Sequence, residues 1–157
     1  MTCCPLCHLT QEDKKWLLYE NEYWSVFLAD KQDYIGRCLV MCNRHCESLS
    51  EMRSDEWLSL KFIINSLEAM LSGELNATMF NWSCLMNDAY KHDPPCSHLH
   101  FHVRPRYKGL VHLGKIAFQD HEFSHHYNNH APAIVDDEVL QNLFNMLRSK
   151  VGIYFTE

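Results

Sequence analysis

The run His98-Leu99-His100-Phe101-His102-Val103 puts a histidine at every second position with a bulky apolar residue between. That period belongs to a β-strand, whose side chains alternate between faces, and not to a helix. Three imidazoles therefore share one face, while Leu99, Phe101 and Val103 point into a core. A histidine-lined surface on a rigid, buried support suits catalysis, because misplacing a reacting group by about an ångström costs roughly a hundredfold in rate. Such a strand needs partners on both sides, and 157 residues with 46% hydrophobic content are enough to supply them within one domain.

The rest of the chain predicts where those partners lie. Trp16 to Tyr19 and Trp24 to Leu28 read as short strands joined by a turn at Glu20 to Glu22, and Cys38 to Cys42, after a turn at Ile35-Gly36, reads as a buried strand. Ser54-Asp55-Glu56 offers a helix start, and Trp57, Leu60, Ile64, Leu67 and Leu71 follow at helical spacing until Gly73 can end it. Thr78 to Met86 and Leu99 to Val103 read as further strands separated by the polar stretch Asn87 to Pro95. Asp136 and Asp137 begin a second helix with Val139, Leu140, Leu143, Leu147 and Val151 on one face. The expected class is α+β, an antiparallel meander sheet of about five strands with two main helices.

Charge and composition exclude several functions. The balance of 14 basic and 20 acidic residues, net −6, repels nucleic acid. No apolar run reaches the ~18 residues needed to span a bilayer, and MTCCPLCHL lacks a signal core. A cytoplasmic protein without membrane partner is expected. Eight cysteines are clustered at one end or scattered through strands, unlike a secreted disulfide framework. Only Cys4-x-x-Cys7 has metal or redox spacing, and eleven histidines supply further ligands.

HLHFHV resembles the H-φ-H-φ-H-φ-φ signature of the histidine-triad (HIT) nucleotide hydrolases and transferases. Arg44-His45 after a buried strand, the helix that follows, Asn87, and the ending HVRPRY resemble the branch that cleaves diadenosine polyphosphates. The resemblance covers residues 3–107 of one domain spanning 1–157, with 108–157 a helix-bearing C-terminal extension. It implies that His100 is the nucleophile, forming a nucleotidyl intermediate as a neutral imidazole can at pH 7. It implies that His102 holds phosphate oxygens. Histidine there, where the uridylyltransferase branch has glutamine, favours hydrolysis. Asn87 would position phosphate or imidazole; on its own it is equally a turn former beside Asp88.

Some HIT branches carry an N-terminal C-x-x-C whose zinc is completed by two histidines, which here implies a structural zinc on Cys4, Cys7, His45 and His98. Cys3 or His8 are rivals for one ligand place, and idle thiols are the plain alternative. Read alone, the three triad histidines would also serve as a metal site. Asp30 is a candidate for the ribose diol and Trp24, Phe27 and Leu28 for the base pocket, with turn and core as their plain readings. Arg104 and Arg106 are candidates for distal phosphates or exposed strand-end arginines. Asp93-Pro94-Pro95-Cys96-Ser97 departs from the polar residues usual before the triad, leaving Ser97, Lys91 or His92 as substitutes. His121, His125, His126 and His130 form a metal site if helical, or a loop over the active site or a dimer contact. The substrate expected is a dinucleoside polyphosphate, the protein a homodimer. An adenosine phosphoramidase on the same site, a zinc-stabilised nucleotide-binding module without turnover and a trihistidine metallohydrolase are the alternatives.

Overall fold

The computed structural model of the protein describes residues 4–91, 93–127 and 135–156. Five strands form one antiparallel sheet: β1 (Leu17–Glu20), β2 (Trp24–Leu28), β3 (Cys38–Cys42), β4 (Met79–Ser83) and β5 (His100–Arg106). The first three make a meander. The order β1-β2-β3-β5-β4 then places the histidine strand inside the sheet, with β4 on the edge. The fold is the expected α+β class, and the sheet departs from a pure meander because a long helix intervenes between β3 and β4.

That helix, α1 (Ser54–Leu75), starts one residue after its cap Arg53, whose N–H donates to Glu56 at 2.7 Å. It buries Leu60, Ile63, Leu67, Met70, Leu71 and Leu75, whereas Trp57 is 47% exposed. Leu60, Leu67 and Leu71 thus lie on the expected stripe, whereas Ile63 is buried more fully than Ile64 and Trp57 falls outside the core. Gly73 does not end the helix, which runs on to Leu75 and closes on Asn76 in the left-handed region at φ 58°. Gly73 instead admits Tyr154 of α2 (Asp137–Tyr154), whose hydroxyl lies where a Cβ would stand. Asp136 caps α2 by accepting from Val139 N–H at 2.9 Å, and Leu140, Leu143, Leu147 and Val151 are buried as expected. Both helices cover one face of the sheet, where Trp24, Val26, Leu28, Cys38, Val40 and Val103 join the core.

Antiparallel register decides what lies on the other face. Residues directly opposite one another point the same way. His100 pairs with Met41, His102 with Leu39 and Ser83, and Leu39 with Phe27. Alternation therefore gathers Phe27, Leu39, Met41, His100 and His102 on the face away from the helices. Gly36, at φ 80° in the β2–β3 turn, adopts a conformation closed to most residues. The C-terminal extension adds a hairpin, β6 (Val111–Leu113) and β7 (Ile116–Phe118), turning at Gly114 with φ 58°. No helix among the described residues is long and apolar enough to cross a membrane.

Candidate active site and metal cluster

His98 lies just before β5, with Leu99 tying it in through Leu99 N–H to Cys46 O at 2.7 Å and Cys42 N–H to Leu99 O at 3.0 Å. His98 is 3% exposed, and its Nε2 sits 2.6 Å from Cys42 O. A carbonyl can only accept, so Nε2 carries the proton and Nδ1 is left as a bare lone pair. That Nδ1 faces Cys4 Sγ at 3.3 Å and Cys7 Sγ at 3.5 Å. His45 Nδ1 completes the group at 3.3 Å from Cys7 Sγ, while its Nε2 meets Glu47 Oε1 at 3.2 Å. All four ligand atoms lie within 4.8 Å of one another.

The donor set fits a tetrahedral ion. Bonds of about 2.3 Å to sulfur and 2.0–2.1 Å to nitrogen separate neighbouring ligands by about 3.3–3.8 Å, the spacing of the sulfur–nitrogen contacts here. Each imidazole also has an outer partner fixing its tautomer, a usual feature of metal-bound histidine. Arg44 holds the His45 loop by pairing with Glu56, whose side chain is 2% exposed, and by donating to Glu51 O at 2.7 Å. Of the rivals, His8 is exposed and outside the group, and Cys3 lies outside the described residues. Among the described residues this is the only such cluster. His121 and His125 fall in turns, not a helix, and His126 joins no metal group; His130 is outside the described residues.

A chain of hydrogen bonds runs on from the cluster. His100 Nδ1 is 2.8 Å from His98 O, so its proton resides there and Nε2 holds a lone pair. Arg37 Nη2 lies 3.3 Å from His102 Nδ1. Arginine only donates, so His102 Nδ1 accepts and its Nε2 carries the proton, which points at His100 Nε2 3.2 Å away. Burial, then the neighbouring His100, Arg37 and Arg104, push the His102 pKa down to about 4. His102 is thus a neutral donor at pH 7.

Behind it, Asp33 is 2% exposed and binds two arginines, Arg37 Nη1 at 3.3 Å and Arg104 Nε at 3.0 Å. The Arg104 guanidinium also lies over the Tyr127 ring, 4.4 Å from its centroid. Arg106 is wholly buried, forked onto Asp120, and donates to Asn81, His125 O and Glu122 O. Both arginines are thus buried and paired with carboxylates of the protein, not exposed at a strand end as one reading had it, and neither borders the two cavities that meet at His100. The two arginines anchor segment 120–127 against β4 and β5, so the histidine-rich stretch is a loop on the sheet and joins no metal group among its described residues.

Two cavities meet at His100. One, of about 930 Å³, is bordered by His98, His100, His102, Asn87, Asp88 and Asp93. The other, of about 480 Å³, is bordered by Trp16, Phe27, Asp30, Leu39, Met41 and His100. Asn87 and Asp30 thus fall on the cleft. Phe27 and Leu28 border it also, but Trp24 does not. Trp24 is core, its indole donating to Glu56 O at 3.0 Å. Ser97 borders neither cavity. Lys91 does, paired with Asp88 at 2.6 Å, and His92 lies outside the described residues. Sequence reasoning missed Met41, placed by its pairing with His100, and Asp33 and Arg37, which the β2–β3 connection carries to His102 and Arg104.

The same α+β sheet recurs in known proteins. The HIT domain family model matches residues 10–109, and the chain belongs to that family. Members are generally nucleotide hydrolases or transferases. A hypothetical histidine-triad nucleotide-binding protein from Sulfolobus tokodaii superposes with a TM-score of 0.70 at 16% identity, covering 96% of this chain and 93% of that one. A Zn-bound histidine-triad family protein from Mycobacterium smegmatis gives 0.62 at 18%, covering 96% and 97%. Diadenosine triphosphate hydrolase from Plasmodium falciparum, in complex with cyclomarin A, gives 0.62 at 14%, covering 92% and 81%. At these identities the likeness shows the fold alone. No curated protein matches in sequence.

Proposed function

We propose that the protein hydrolyses an adenine nucleotide derivative through a nucleotidyl intermediate on His100. One observation carries the reading: His100 Nδ1 is tied to the His98 carbonyl at 2.8 Å while its Nε2 stands at the junction of two cavities. The nucleoside occupies the smaller, apolar cavity, with Asp30 at the ribose. Nε2 attacks the α-phosphorus, the bond from phosphorus to the leaving group breaks, and water then displaces the imidazole to release AMP. The Nε2–H of His102 donates to a phosphoryl oxygen as charge develops there, an electrostatic role that needs a neutral, fixed donor. Asn87 adds a polar contact on the leaving-group side.

Zinc is the ion that suits two thiolates and two imidazoles with no open place. Cys4, Cys7, His45 and His98 would hold it, and its role would be to staple the N-terminal arm to the sheet. Homodimerisation through α1 and the outer edge of β4 is part of the same reading. So is a place in the reducing cytosol.

The larger cavity bears on the substrate. Its charged lining is Asp88, Asp93 and a Lys91 already paired with Asp88, and the arginines expected there are buried elsewhere. A bare polyphosphate tail gains little in such surroundings. This favours the second reading, a phosphoramidase expelling a neutral amine, over cleavage of a dinucleoside polyphosphate. Product analysis with adenosine phosphoramidate and diadenosine tetraphosphate separates the two. His100→Ala is expected to lose roughly four or more powers of ten in kcat, as removal of an activated nucleophile does. Nucleotide binding without product from either substrate would leave only a binding module.

A further inference from the structure

Leu6 is an apolar side chain left 37% exposed on the surface, and its place gives the reason. Among the described residues only Leu6 and His100 border both cavities. Leu6 sits in the single turn Pro5–Cys7, between the two cysteines of the metal cluster. Cys4 Sγ is held 3.3 Å from His98 Nδ1 and Cys7 Sγ 3.3 Å from His45 Nδ1, so the residue between them has little freedom. The turn is closed further by Cys7 N–H to Cys4 O at 3.2 Å and His8 N–H to Pro5 O at 3.1 Å. The same His98 that faces both thiols presents its carbonyl to His100 Nδ1 at 2.8 Å. The arm and the nucleophile are therefore referred to one residue.

We propose that Leu6 is a substrate-binding residue: it walls the cleft where the nucleoside and leaving-group compartments meet, and packs on the ribose–phosphate segment that must pass His100. A nucleotide spanning the two cavities has to cross this point, and doing so removes the exposed Leu6 surface from water. The metal cluster then does more than hold the fold, because it sets the height of that wall. The inference rests on the adenine-nucleotide reading and extends it to a residue of the N-terminal arm.

The test is AMP affinity, measured by calorimetric titration of the zinc-loaded protein and of Leu6→Ala and Leu6→Met, with zinc content and thermal melting recorded for each. Trimming the side chain removes roughly one or two covered methylene groups' worth of contact, so Leu6→Ala is expected to bind AMP about five- to fifteenfold more weakly with zinc retained. Leu6→Met, which keeps the apolar bulk, is expected to bind within about threefold of the unaltered protein. Equal AMP affinity for the unaltered and Leu6→Ala proteins overturns this inference alone. Failure of AMP to bind the unaltered protein overturns both it and the nucleotide reading.

Discussion

Replacing Arg37 with methionine removes the donor that fixes the His102 tautomer while keeping most of the side-chain volume. In the intact protein Arg37 Nη2 stands 3.3 Å from His102 Nδ1, and Asp33 holds the guanidinium from behind at 3.3 Å. Without that donor the imidazole is free to carry its proton on Nδ1. His102 Nε2 then presents a lone pair to the Nε2 of His100, 3.2 Å away, and, in the proposed reaction, to the incoming phosphoryl oxygen. Two lone pairs repel, and the transition state loses a donor. A hydrogen bond from a charged group contributes about 1.5–3 kcal/mol. The 3.3 Å separation selects the lower part of that range, so kcat should fall about ten- to thirtyfold with KM little changed.

The assay is steady-state hydrolysis, with nitrogen chemical shifts of His102 reporting the tautomer. Arg37→Lys, which keeps the charge and one donor, should recover part of the loss. In a His102→Ala background Arg37→Met should cost almost nothing more, because the two residues act through one bond. Asp33 keeps Arg104 at 3.0 Å, so the variant should fold, and a melt checks this. Unchanged kcat, or a loss that adds in full to that of His102→Ala, would refute the reasoning.

Two further outcomes follow from the buried charges. Arg106→Met strands Asp120 with its side chain 0% exposed; breaking one side of such a pair costs about 3–5 kcal/mol, or roughly 6–20 °C in Tm for a chain of this size. Turnover per folded molecule should persist, and a collapse of turnover at unchanged Tm would return Arg106 to the substrate. His102, faced by His100, Arg37, Arg104 and Asp33, titrates near 4 when folded against an ordinary 6.5. As pH falls below 6.5 the unfolded chain takes up the proton first, so this contribution to stability is complete above about 6.5 and is lost on acidification through about 4. Tm should drop between pH 7 and pH 5, and less so in His102→Gln; equal slopes in the two proteins would contradict the shift.

What could be read from the residues was whatever local periodicity determines. β2 and β3 fall on the expected bounds because the aromatic and β-branched residues of the one and the continuous apolar run of the other favour buried strands. The cysteine and histidine group, inferred by resemblance, comes together because Cys42 and Cys46 both bond the backbone of Leu99, next to His98, and Cys42 O also holds the His98 ring. Arg104 and Arg106 went the other way. Their spacing by two was legible, but not that Asp33, 71 residues away in sequence, and Asp120 would each supply a buried carboxylate. The hairpin of β6 and β7 was also missed, although Gly114 at the first place of a two-residue loop between Leu113 and Ile116 is a signal for such a turn.

The bonds that fix His100 explain why alternation alone does not assign the nucleophile. All three imidazoles border the same cavity, so position on the strand does not rank them. Their partners do. His98 spends Nε2 on Cys42 O and turns Nδ1 to the thiols; His102 spends Nδ1 on Arg37 and, at a pKa of about 4, stays a neutral donor. His100 has its proton anchored on Nδ1, at 2.8 Å from His98 O, and its Nε2, which accepts from His102 at 3.2 Å, lies at the cleft. In the proposed reaction the substrate's phosphoryl oxygen takes over the His102 proton, which leaves the His100 Nε2 lone pair held in the direction of attack, as a nucleophile requires.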